Sequence, residues 1–287
     1  MQSSTDAANA LDSETIDTLV AGKQSVSIWQ HIVAFYLERR QIILGVVSVT
    51  LFLSTWQIAV ERRFLDEFIF SKPSAIASVG YLLLTNGTIF DAIRYTAMSF
   101  AVGFTLAILL GVPMGILIGW YPTLRGLMQP YVSALNATPR IALYPLFVVW
   151  FGIGLETKIV IVFISSLLPI LFNTIGGVNS LDPSFIDVAR CMGANDRQVF
   201  KTVVLPASVP FIMTGLRIGV GHALLAAIIS ELFIGSTGLG ALLGTYAAYF
   251  KTANLMAVIL VVATSGVLLL SAIHWVEQKV ELWRPRV

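Results

Sequence analysis

The sequence predicts an all-α, polytopic membrane protein with six transmembrane helices, and three observations predict it. Of 287 residues, 56% are hydrophobic and only 12% are charged, against about 25% charged in a soluble domain. Mean hydropathy is +0.83. Five apolar runs are long enough to cross a bilayer, for which roughly 20 residues are needed, and a sixth is broken by prolines. A net charge of +2 gives no case for a nucleic-acid partner, and one cysteine, Cys191, excludes an internal disulfide or a multi-cysteine metal site.

Residues 1–26 are polar and hold no apolar core of the kind a secretory signal needs, so they are expected as a disordered tail. In residues 27–40, Trp29, Ile32, Val33, Tyr36 and Leu37 fall on one helical face, which suits a helix lying on the membrane surface. The segment 1–40 is thus expected in the cytoplasm, 41–60 as the first span, and 61–94 as an external loop. Further spans are expected at 95–119, 127–151, 159–181, 210–230 and 252–273, with 277–287 as a cytoplasmic tail. The 127–151 run contains Pro130, Pro139, Arg140 and Pro145, and these forbid a regular helix. Freed backbone groups in such a segment need cover from protein or a water-filled cavity. Six spans put both termini on one side. Nine Lys and Arg residues near span ends fall on that side and six on the other, so the bias favours cytoplasmic termini.

Between the fourth and fifth spans lies a polar stretch, ARCMGANDRQVFKTVVLP. Pro183 can open a short helix over 184–192 with Asp182 as its cap. Gly193 lets the chain turn, and Asn195 or Asp196 can cap a second helix whose apolar side is Val199, Phe200 and Val203. Pro206 is expected to end that helix. From Asp187 the pattern reads D-V-A-x3-G-x9-V-x-L-P. It resembles the cytoplasmic E-A-A-x3-G-x9-I-x-L-P motif of the permease subunits of binding-protein-dependent ABC importers. Ala189, Gly193, Leu205 and Pro206 match, while Asp187, Val188 and Val203 are near-substitutions at the Glu, Ala and Ile positions.

The resemblance covers roughly 65–285 and is similar to the branch that imports sulfonates, taurine, nitrate, bicarbonate, aromatic acids or thiamine-precursor pyrimidines. Its further pieces include Gly111-Val-Pro-Met-Gly115, Pro139-Arg-Ile-Ala-Leu-Tyr-Pro-Leu146, Thr214-Gly-Leu-Arg217 and Glu231-Leu-Phe-Ile-Gly235. It implies a permease core over 95–276 containing a coupling segment, 182–208, that docks on a cytoplasmic ATPase. The contacts would come from Asp187, Ala189, Gly193, Ala194, Arg197, Val203, Leu205 and Pro206. It also implies a multi-pass protein of the bacterial inner membrane. Its partners would be ABC ATPase subunits, an extracytoplasmic solute-binding protein, a second permease copy and membrane lipid. No cofactor is expected on this chain; ATP and Mg would belong to the ATPase, since no G-x4-G-K-[ST] loop occurs.

Candidate pathway residues follow from polar groups inside the spans. Glu231 lies in an uncharged stretch from 218 to 250, where a carboxylate must face an interior, a cavity or a cation. It reads equally as a gate residue or as a partner for Arg217 or a polar backbone segment. Arg140 can attract an anion or hold unwound backbone, or snorkel from a span end. Asn136, Ser133 and Tyr144 share its segment. His222 reads as a satisfied interior histidine before a ligand. Gly103, Gly111, Gly115 and Gly119 form a small-residue stripe for packing within a subunit or between two. The alternative function, an ATP-independent secondary transporter or channel, predicts an internal repeat, and none is found. An integral membrane enzyme would need catalytic residues that the chain does not offer.

Overall fold

The structure is a computed structural model describing residues 28–235 and 237–281, with side chains described from 41 to 280. The polar tail 1–26, the face formed by Trp29, Ile32, Val33, Tyr36 and Leu37, and the tail beyond 281 lie outside those limits. The chain divides into two units at 64/65. In the first, one helix, α1 (Ile28–Glu61), runs through the expected boundary at 40/41 without a break. No glycine or proline occurs from 28 to 44, so nothing interrupts its hydrogen bonds.

The second unit begins with α2 (Glu67–Phe70), capped by Asp66, and α3 (Pro73–Thr85), which has proline in its first turn. Then α4 (Thr88–Trp120) is long and apolar enough to cross a membrane. The expected loop 61–94 therefore carries two helices and the start of a third. Its apolar Ile76 and Leu83 bury one side of α3, and Gly80 brings that helix against Ala257 of α12 (Thr252–Glu281).

The broken span is α5 (Pro122–Ala137), a 3₁₀ turn over Arg140–Leu143, and α6 (Tyr144–Phe151). The two arms meet at 90°. Thr138 is extended, with ψ 127°, because the ring of Pro139 excludes the helical conformation from the residue before it.

The core is a three-helix layer with α7 (Leu155–Asn179) between α4 and α10 (Leu205–Ile234). The glycine stripe faces α7 within this subunit. A Cβ on Gly115 would meet Thr174 at 2.6 Å, and one on Gly119 would meet Val178 at 2.6 Å. From the other side, Gly219 approaches Ile170 at 3.1 Å. Small residues substitute here for a hydrophobic driving force, which lipid does not supply between helices.

One expectation is corrected. Pro206 does not end a helix: α9 (Asp196–Val199), a π turn over Phe200–Val204 and α10 form one run of 39 residues, Asp196–Ile234. Proline has no N–H to donate, and the wider π turn relocates the bonding, with Leu205 N–H donating to the Phe200 carbonyl. The stretch 218–250, uncharged apart from Glu231, does not continue α10 to its end. It turns at Gly235, with φ +73°, and at Gly238, with φ +107°, into the short apolar helix α11 (Leu239–Ala248).

Candidate functional site

The segment expected to couple, 182–208, opens where Asp182 accepts the Ser184 backbone N–H at 2.9 Å, capping α8 (Pro183–Cys191). That N–H, helped by the Ser184 side chain, holds the Asp182 carboxyl below its ordinary range. A depressed folded value means the cap is fully present at neutral pH and is lost only as acid titrates it. Beyond α8, the Gly193 N–H donates to Arg190 O at 2.9 Å and the Ala194 N–H to Ala189 O at 3.1 Å. This paired closure requires a left-handed residue, and Gly193 supplies it with φ +83°. Arg190 and Asp196 form an ion pair at 3.0 Å across the turn. Asn195 and Gln198 complete a reciprocal capping box, both bonds 2.9 Å, at the start of α9.

The two short helices turn different faces in and out. Val199 and Val204 are fully buried with Val178, and Ile186, Ala189, Ala194 and Phe200 pack around them. Trp120 at the end of α4 meets the Phe200 ring edge-on at 5.9 Å. Outward, Phe185, Val188 and Met192 are exposed, Met192 at 83%. Asp187, Arg190, Cys191 and Arg197 surround them, also exposed. Asp187 lies inside α8, and the cap is Asp182. Of the expected contacts, Asp187, Gly193, Arg197, Leu205 and Pro206 are exposed, while Ala189, Ala194 and Val203 are half-buried and shape the turn. The outward apolar face of Phe185, Val188 and Met192 was missed in sequence, although its spacing of three and seven was visible.

Glu231 is fully buried near the end of α10. Its carboxylate accepts the Gly240 N–H at 2.9 Å, and the Thr96 hydroxyl lies 2.9 Å from both of its oxygens. The same hydroxyl oxygen accepts the Leu239 N–H at 3.0 Å. Gly238 and Gly240 have no room for a Cβ, which would fall on the Glu231 carboxyl group and the Ile228 carbonyl respectively. Lys158, 2% exposed, donates to the Thr237 carbonyl at 2.8 Å and its hydroxyl at 3.0 Å. Two buried opposite charges thus hold the turn between α10 and α11 from both sides. Arg217 is not the partner of Glu231; it pairs with Glu277 of α12, which also lies 3.4 Å from His274.

Arg140 donates from Nη1 to the Ser165 carbonyl at 3.0 Å. Ser165 lies well inside α7, so the guanidinium is placed within the span and not at its end. The bent span is thus tied through Arg140 to Ser165 of α7, a contact that sequence reasoning missed because it spans 25 positions. Tyr144, 4% exposed, is buried at the start of α6. Asn136 and Ser133 are exposed on α5.

Five helices long and apolar enough to cross a membrane, a bent pair that can form a sixth span, and an exposed hairpin define a multi-pass membrane protein. Residues 111–282 match the family described as binding-protein-dependent transport system inner membrane component. The chain is 32% identical over 204 residues to a probable ABC transporter permease protein of Brucella abortus (strain 2308), covering 71% of this chain and 82% of that protein. It is 27% identical to the taurine transport system permease protein TauC of Escherichia coli (strain K12), covering 86% of this chain and 92% of that one. With the formylaminopyrimidine transport permease protein ThiX of Halalkalibacterium halodurans, identity is 28% over 80% of this chain and 92% of the relative. An amino acid ABC transporter crystal structure shares the fold at TM-score 0.51 and 15% identity, over 71% of this chain and 95% of that one. The chain belongs to the inner-membrane permease family of binding-protein-dependent ABC transport systems.

Proposed function

We propose that the chain is the translocation subunit of an ATP-driven importer. The solute is a small organic or inorganic anion, such as a sulfonate, taurine, nitrate or an aromatic acid, delivered by an extracytoplasmic binding protein. The name of the relative TauC supports the sulfonate part of that range. Two permease copies enclose the pathway, and both termini lie in the cytoplasm, as the Lys and Arg bias favours. The chain itself hydrolyses nothing and binds no cofactor; ATP and Mg sit on the partner ATPase.

The observation that carries this reading is the coupling hairpin. Its inner face is locked to α4 and α7 by Val199, Val204 and Trp120, while Phe185, Val188 and Met192 are left exposed beside Asp187 and Arg197. An amphipathic helix with one apolar face in the core and a second at the surface is a docking element. ATPase closure would push on it and switch the spans between inward-open and outward-open states.

Cys191, exposed on that face and the only cysteine of the chain, provides a test without mutation. In the purified complex with its ATPase, maleimide labelling of Cys191 is expected to slow by about an order of magnitude relative to the free permease, since a docked surface excludes reagent. Equal labelling in both states, or solute uptake by this chain alone without ATP, would overturn the reading.

A further inference from the structure

The end of α11 is closed in the same way as the Gly193 turn, but without a glycine. The Phe250 N–H donates to Ala247 O at 3.1 Å and the Lys251 N–H to Tyr246 O at 2.9 Å. These reach three and five residues back, as the Gly193 and Ala194 bonds do. Such a closure needs a left-handed residue and ordinarily takes glycine. Phe250 holds it with φ +54°, a conformation that strains a bulky side chain. The ring gains little burial in return. Phe250 is 69% exposed, and Phe68 of α2, stacked on it at 5.8 Å and 23°, is 61% exposed. The helix α2 repeats the pattern: it ends at Ser71, with φ +52°, and leaves Ile69 and Phe70 exposed, as Tyr249 is beside Phe250.

We propose that α2 and the turn 249–251 form a foot that rests in the phospholipid headgroup layer and fixes the depth of α12 in the bilayer. Chain continuity sets the level. The helix α12 is long and apolar enough to span a membrane, and it starts at Thr252, two residues after Phe250. The Thr252 hydroxyl donates to the Phe68 carbonyl at 2.6 Å, so α2 is held at that level although 184 positions separate the two residues. The end of a span lies where hydrocarbon gives way to headgroups, and an aromatic ring exposed there leaves water. In water the left-handed Phe250 would be strained and still expose its ring. In the interface, burial of the paired rings offsets the strain. The flanking charges have both signs: Lys72 pairs with Glu67 at 2.9 Å, and Asp66 and Lys251 are exposed. That mixture matches a zwitterionic layer of phosphate and ammonium groups. The foot goes beyond the importer reading and serves whatever solute is carried.

The test uses the full-length chain carrying Cys191→Ser, reconstituted in vesicles of phosphatidylcholine and phosphatidylethanolamine. Ile69→Cys and Tyr249→Cys, made separately, each carry a bimane fluorophore. A headgroup-nitroxide lipid, a mid-chain-nitroxide lipid and aqueous iodide serve as quenchers. Both labels are expected to be quenched severalfold more by the headgroup nitroxide than by the mid-chain nitroxide or by iodide. Phe68→Ala combined with Phe250→Gly removes both rings and relieves the turn. It is expected to raise iodide quenching at Tyr249→Cys by about twofold or more, with a matching loss of lipid quenching, as the lost apolar burial frees the foot. The melting point in detergent reports folding separately. Iodide quenching equal to that of the denatured chain would place the foot in water. Protection from all three quenchers would make it a protein contact, and a dominant mid-chain signal would sink it into hydrocarbon. Any of these, or a headgroup signal unmoved by loss of both rings in a folded variant, would overturn the anchor.

Discussion

Glu231 shows how a costly side chain can be committed to architecture. Moving a carboxylate into a bilayer costs a few kcal/mol, and here it is offset by the Gly240 N–H, the Thr96 hydroxyl and the opposing charge of Lys158. The 0% exposure leaves no face for a solute in this conformation. Glu231→Gln keeps the shape but replaces one acceptor oxygen with a donor and removes the charge opposite Lys158. It is expected to lower the stability of the detergent-solubilised chain by about 1–3 kcal/mol, the range for a buried polar group left without its partner. Limited proteolysis should then cut first at the turn around residues 235–238. A melting point equal to wild type, with the turn still protected, would show that the carboxylate is not its fastening. Glu231 and Arg140 looked alike in sequence, as lone charges in apolar runs. They differ only in what the tertiary structure sets beside them, and spacing along the chain does not encode that.

At the scale of elements, the junction between α9 and α10 is the least regular feature and was the least readable. A Leu-Pro pair after a short amphipathic helix ordinarily marks an end; here the π turn at Phe200–Val204 absorbs the proline and the helix continues. A π turn holds one residue more than an α turn, so it rotates the hairpin by about 100° relative to an uninterrupted helix. Pro206→Ala restores the missing N–H and favours the regular turn. It is expected to leave the melting point unchanged or slightly raised while reducing binding-protein-stimulated ATP hydrolysis in the reconstituted complex several-fold. Undiminished stimulation would show that the π turn does not set the docking orientation. Other elements were legible in proportion to how local their cause is. The five uninterrupted spans follow from hydropathy, and the bend at Thr138–Pro139 from one steric rule. The Gly193 turn follows from a single left-handed residue. By contrast, α11 has the composition of a span and the length of a fragment, so nothing in its own residues separates it from α10. The helices α2 and α3 were hidden for a related reason, because α3 is held by its packing against α12.

For the whole molecule, stability rests on close approach along α7, which half-buries its own span and seats both neighbours. Gly115→Val would drive a branched side chain into Thr174, already 2.6 Å from a simple Cβ. Overpacking of this kind costs about 1–3 kcal/mol and is expected to lower the melting point by several degrees. Gly45 of α1 has open space at its Cβ position, and Gly45→Ala is expected to be neutral or to stabilise by up to about 1 kcal/mol through helix propensity. Equal effects at the two sites would contradict a core centred on α7. The uninterrupted run Asp196–Ile234 has a consequence of its own at this scale. At 39 residues and 1.5 Å per residue it spans about 58 Å. One end carries the docking hairpin, and the other carries the Glu231 clasp on α11. A rigid rod of that length tilted by about 10° at its base moves its far tip by about 10 Å, wider than a small anion. With the hairpin docked on an ATPase as proposed above, a small tilt at that end would reach the other end of the rod amplified by leverage alone.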